Sequence, residues 1–126
     1  MLKYINDSRK EAGVAPLVFN YMFYDCAYIR GLEIKQLFSH TRPNGKDWLS
    51  VLFENGFYHP GSAGENLQSG ANYDGYWSNY LLMQSPGHRA NILDEHFTSV
   101  SIRVYIDEEA DEYGQHKYYV VENFYG

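Results

Sequence analysis

Leu2, Ile5, Arg9 and Ala12 recur at helical intervals and predict a short helix over residues 2–12, stopped by Gly13. Pro16 follows. From Leu17 the apolar positions Met22, Phe23, Cys26, Ala27, Ile29, Ile34, Leu37 and Phe38 predict a longer helix of about 20 residues, with a face wide enough to lie on a sheet. Arg30 and Glu33 sit three apart on it and can pair. Residues 41–45 read as a turn, 47–55 as a short helix ended by Gly56, and 57–71 as a long irregular region rich in glycine. Tyr73, Tyr76, Trp77, Tyr80, Leu81 and Gln84 form a stripe at helical spacing. Ser85-Pro86 then reads as an N-cap and first position of another short helix, through Leu93. Val100, Ile102, Val104 and Ile106 alternate as a strand does, and a second strand runs from Tyr118 to Phe124. The two predict an antiparallel hairpin with a long acidic loop. Helices first and strands last argue for an α+β fold.

The chain has 126 residues, and no repeat or linker divides it, so residues 1–126 are read as a single domain. Its net charge of −6, with no cluster of basic residues, argues against nucleic acid as a partner. No apolar stretch approaches the roughly 20 residues of a membrane span. Most of the 13 tyrosines are expected to pack in or just beneath the core. Cys26 is the sole cysteine, so no internal disulfide is available, and its apolar neighbours predict a buried, inert thiol. Cysteine usage by itself leans towards the cytosol, although exported bacterial proteins also do without disulfides. The helical pattern begins at once with no signal peptide, which reads as a trimmed start whose leader or upstream region has been removed.

Three polar segments stand where one element hands over to the next: Phe38-Ser39-His40-Thr41-Arg42-Pro43, Ala63-Gly64-Glu65-Asn66-Leu67, and the run from Ser85 to Leu93. His40 falls at the expected C-terminus of the long helix, where the dipole favours an imidazolium. His88 is the third residue of a helix capped at Ser85, where the positive end favours a neutral ring. Two histidines pushed apart in this way near one carboxylate suit an acid/base pair or a metal site. On spacing alone each histidine is better explained by a bond to backbone, and Glu65 is equally explained as a turn residue bonding nearby backbone N–H groups. His59, His96 and His116 fit no such frame. The chain holds no HExxH, GxSxG, P-loop or CxxC, and the acidic loop at 107–112 lacks calcium-hand spacing.

Taken together, FSHTRPNG, AGENL, SPGHRANIL and the closing VVENFYG closely resemble bacterial CAP domains, also called SCP-like domains. The opening INDSRKEAGVAPL fits as well, so the resemblance covers essentially the whole chain. It implies a three-layer α-β-α sandwich with a small antiparallel sheet, an exported protein, and a cleft with two histidines and two acidic residues that in some members binds a divalent metal. By position His40 matches the first histidine, Glu65 the first acid and His88 the second histidine. The second acid is missing, because no carboxylate lies between Gly75 and His88. Asn79 is its nearest positional match, and Gln84 lies on the aromatic stripe. The resemblance thus implies a ligand cleft of His40, Glu65, His88 and Asn79. It also implies a weak site for zinc or another divalent cation on His40, His88 and Glu65, with water in the fourth place.

The favoured function is a binding module, extracellular or in the cell wall, whose cleft takes a lipid, a glycan or a wall-derived molecule. The first alternative is a protease-like hydrolase in which His40, Glu65 and His88 position a metal-bound water or act as acid and base. The second is a structural or adhesive domain whose polar network pins loops together. Gly87 is expected to resist alanine if the chain passes close to the cleft there.

Overall fold

The computed structural model describes residues 1–126. The first expected helix is α1 (Leu2–Glu11), and Gly13 turns the chain away at φ 74°. The segment read as one long helix divides in two. Val18–Phe19 is a short strand, β1, and only Tyr24–Gln36 is helical, as α2. Asn20 causes the break. Its backbone N–H donates to Val100, its amide to Ser99 Oγ, and its side-chain oxygen accepts from Phe23 N–H, so the chain is tied to a sheet before it turns into α2. Helix α3 (Ser50–Glu54) follows. Then comes β2 (Ala63–Ala71), in the region expected to be irregular. Helices α4 (Gly75–Met83) and α5 (Pro86–Leu93) precede the predicted hairpin of β3 (Ser99–Ile106) and β4 (Lys117–Tyr125).

The sheet order is β1-β3-β4-β2. Strand β4 lies between β2 and β3 and pairs antiparallel with both, while the short β1 adds to β3 in parallel, so the sheet is not wholly antiparallel. Strand β2 eluded the pattern because its small polar residues carry no alternation, and its pairing with β4 overrides local preference. Gly70 is needed there, because a Cβ would fall 2.8 Å from the Tyr118 ring.

Every residue of β4 after Lys117 is buried, and successive side chains serve opposite faces. Phe124 packs in a cluster with Ile5, Leu82, Ile92 and Val100, beneath α1, α4 and α5. Val121 and Tyr125 pack on the other face, in clusters with Ile34 and Leu67 and with Cys26, Val51 and Leu52, beneath α2 and α3. The result is an α-β-α sandwich. Arg9, fully buried, donates to the carbonyls of Ala15, Ile92, Asp94 and Phe97 and so ties α1 to the end of α5.

The aromatic stripe on α4 faces outward. Tyr76, Trp77, Tyr80 and Leu81 are exposed, and the buried residues of the helix are Ser78, Asn79 and Leu82.

Candidate functional site

Helix α2 ends at Gln36 with Leu37 already extended, so His40 lies beyond the helix end on which its expected charge preference rested. The segment is fixed by its backbone: Arg30 Nη2 donates to Ser39 O at 2.8 Å and Trp48 N–H to His40 O at 2.9 Å. The His40 ring meets Glu65, with Nδ1 2.9 Å from Oε1, while 55% of the side chain stays exposed. Its pKa is raised above the usual imidazole value, first by the hydrogen bond to Glu65; partial burial and the Arg30 charge oppose this.

Glu65 projects from β2 with no part of its carboxylate side chain exposed. Arg30 grips it with both arms, Nε to Oε2 at 2.9 Å and Nη2 to Oε1 at 2.8 Å. Asn123 Nδ2 donates to Oε2 at 3.0 Å, and His40 takes the remaining place on Oε1. Four bonds fill the carboxylate's acceptor sites. Arg30 also pairs with Glu33 at 2.7 Å, Glu33 with Arg42 at 2.8 Å, and Arg42 with Glu54 at 2.8 Å. A chain of alternating charges therefore runs from the surface at Glu54 to His40. Sequence reasoning saw Arg30 only as a helix-surface partner of Glu33. The signal was its place among Cys26, Ala27 and Ile34 on the buried face of α2.

His88 comes from the other helical layer, at the third position of α5, where Ser85 is the N-cap and Pro86 opens the helix as expected. Its ring is half-buried, and its pKa lies below the usual value, first through burial and then through the charge of His40. Asn66 holds its backbone. The buried Asn66 amide donates from Nδ2 to His88 O at 3.1 Å and to Glu122 Oε1 at 3.2 Å. Its oxygen accepts from Asn91 Nδ2 at 2.9 Å. The role of Asn66 and Asn91 also went unread in the sequence.

Asn79 does not join the histidines. It is buried against α1, donating to Tyr4 O at 3.2 Å and Ser8 Oγ at 2.9 Å, so its position in the motif is spent on joining two helices. The residues also do not fit the cation that the resemblance implies. No three His, Cys, Asp or Glu side chains are grouped to hold a metal ion, and both oxygens of Glu65 are occupied. A cation on Glu65 would have to displace a donor already there, and displacing Arg30 would separate a fully buried ion pair. None of three surface concavities is lined by His40, Glu65 or His88, and both histidines are partly exposed to solvent.

The sequence matches the CAP family, described as the cysteine-rich secretory protein family, over residues 2–124. No curated protein matches the chain in sequence. Among solved structures, it resembles an extracellular protein containing a SCP domain from Bacillus anthracis str. Ames, with a TM-score of 0.75 and 26% identity over 96% of this chain and 37% of that one. It also resembles an outer surface protein from Borrelia burgdorferi, with a TM-score of 0.73 and 13% identity over 99% of this chain and 90% of that one. A cysteine-rich secretory protein from Staphylococcus aureus subsp. aureus Mu50 gives a TM-score of 0.62 and 18% identity, over 98% of this chain and 36% of that one. The chain thus spans little more than a third of the Bacillus and Staphylococcus proteins. With the α-β-α sandwich in place and the family's motifs matched along its length, the chain belongs to the cysteine-rich secretory protein (CAP) family, as a member with one buried cysteine.

Proposed function

We propose that the surface between His40 and His88 binds a ligand outside the cell, drawn from lipids, glycans or wall-derived molecules. The observation that carries this reading is the way His40 is held. Glu65 fixes Nδ1, the carboxylate is itself saturated, and more than half of the side chain still faces solvent. A histidine serving only as a structural strut would spend both nitrogens inside. Here Nδ1–H is spent on Glu65, and Nε2 is left oriented and without a protein partner, an acceptor on the neutral ring and a donor on the protonated one. Because the surface is open, it suits one segment of an extended molecule better than an enclosed small ligand. A polar group on that segment would meet Nε2 of His40, and an anionic one would favour the protonated ring. The Bacillus and Borrelia proteins, described as extracellular and outer surface, support an extracellular setting.

Imidazole carbon–proton NMR spectra test this, with soluble peptidoglycan fragments and then dispersed phospholipid as probes. Saturable shifts at both His40 and His88 are expected with one of them. Binding that moves neither ring, or no binding of either probe, would overturn the reading.

The opposite pKa directions of the two histidines favour a second reading as an acid/base hydrolase, with His40 as acid and His88 as base. Such an enzyme would give a bell-shaped pH–rate profile that loses its basic limb in His40→Gln.

A further inference from the structure

Two Glu–Asn pairs lie side by side across β2 and β4. Glu65 is opposite Asn123, and Asn66 is opposite Glu122. Side chains one residue apart face opposite sides of a sheet. The first pair faces α2, where Arg30 neutralises Glu65. The second faces α5 and has no such cation. Glu122 is entirely buried; Oε1 accepts only from the Asn66 amide, and Oε2 has no hydrogen-bond partner.

We propose that Glu122 is a buried, uncharged carboxylic acid and a positioning residue that sets, through Asn66, where α5 presents His88. This rests on the reading of His40 and His88 as the functional site. An isolated carboxylate in such surroundings costs far more than a neutral acid. Burial pushes the group up to about 7, against a smaller pull from Asn66 and from the Met1 amino group. The groups facing it are few. Tyr73, before α4, has its own hydroxyl pushed up by burial and then by Glu122. Ile102 of β3 is directly opposite and apolar. His88 of α5 offers only its carbonyl to the shared amide, and Tyr118 lies two side-chain repeats away on the same face of β4. The Asn66 nitrogen has two hydrogens, one for His88 O and one for Glu122 Oε1. Ionising Glu122 strengthens its claim on that nitrogen and so loosens the hold on the first turn of α5. The site thereby gains a response to pH near neutrality in addition to those of its two imidazoles.

The test needs no ligand, so it is separate from the binding reading. In protein labelled at the glutamate side-chain carboxyl carbon, the Glu122 signal is followed with pH, together with the Asn66 side-chain amide and the His88 ring. The expected result is a Glu122 inflection near 7, the same inflection in the Asn66 amide, and a second inflection in His88 beyond its own. In Glu122→Gln the shared inflection disappears, and in His40→Gln it persists. A Glu122 carbon that titrates near 4.5, or a shared inflection that survives in Glu122→Gln, would overturn the proposal. The carboxyl titration is read on the parent protein and stands even if the variant fails to fold.

Discussion

Glu65 and Asn66 are neighbours on β2, and they secure the two histidines from opposite faces of the sheet: Glu65 bonds the His40 ring, and Asn66 bonds the His88 backbone. The alternation of a strand makes this economical, since one dipeptide reaches both helical layers. The same dipeptide is also the reason the site needs a rigid β2. A slip of one residue would exchange the two faces and separate both contacts.

Glu65→Gln tests the first contact. The amide cannot neutralise Arg30, which keeps Glu33 as its one carboxylate partner, so stability should fall by about 3 kcal/mol in urea unfolding, the low end for breaking a buried pair. His40 should also lose its raised pKa, because the Glu65 bond is the main cause of it. An NMR titration that leaves His40 unchanged in a folded Glu65→Gln protein would contradict this account.

Asn66→Ala tests the second. It leaves the His88 carbonyl, Glu122 and Asn91 without their shared partner, at about 1–3 kcal/mol for each group left unsatisfied. Faster amide hydrogen exchange should appear across α5, with α2 little changed. Uniform acceleration over both helices would mean that Asn66 is merely part of the global core.

Between pH 4.5 and neutrality the dependence of stability on pH follows chiefly from three shifted groups, Glu122, His40 and His88. Glu122 is raised from 4.5 to about 7, so its folded form holds a proton that the unfolded chain releases. At about 1.4 kcal/mol per pKa unit, stability should decline by about 3 kcal/mol as pH rises from 4.5 through 7. His40, also raised, contributes stability that is present below 6.5 and is lost as pH rises through its folded value. His88, lowered, opposes both: below 6.5 the unfolded chain takes up a proton that the folded ring resists, and stability falls with falling pH. Urea midpoints across this range, compared between the parent and Glu122→Gln, isolate the Glu122 part. A difference that does not change with pH would refute it.

Some of this was legible in the sequence and some was not, for physical reasons. Ser85-Pro86 marked the start of α5, and strict alternation marked β3, because both signals are local. Strand β2 has neither signal; its order comes from β4, which lies more than 40 residues further along the chain. Periodicity identified a face of α4 but not its direction. The aromatic face points to solvent because Ser78 bonds Gln68 of β2 and Asn79 bonds α1, which requires small polar residues inside. His40, Glu65 and His88 were found through the resemblance of their segments. Arg30 and Glu122 were not, since residue type alone reads a charge as surface, and only the fold shows that both are fully buried.

The filled carboxylate also predicts how the protein meets zinc. Micromolar zinc should leave the thermal melting temperature unchanged, and a chelator should do the same, because Arg30 already occupies Glu65. Calorimetry showing a stoichiometric heat that vanishes in His88→Ala would restore the three-ligand site.

Two motif glycines should behave in opposite ways. A Cβ on Gly87 meets nothing within 4 Å, so the expected resistance to alanine there does not hold. Within α5, Gly87→Ala should be neutral or stabilise by up to about 1 kcal/mol, as alanine favours the helix. A Cβ on Gly64 would lie 2.9 Å from Asn91 Oδ1 and 3.0 Å from Phe97 Cζ. Gly64→Ala must therefore push α5 away from β2, at about 1–3 kcal/mol for overpacking. Because Asn91 also bonds Asn66, the shift should be felt at His88, visible as a changed ring signal in the folded variant. Equal melting temperatures for the two variants would show that β2 and α5 are not in close contact at Gly64.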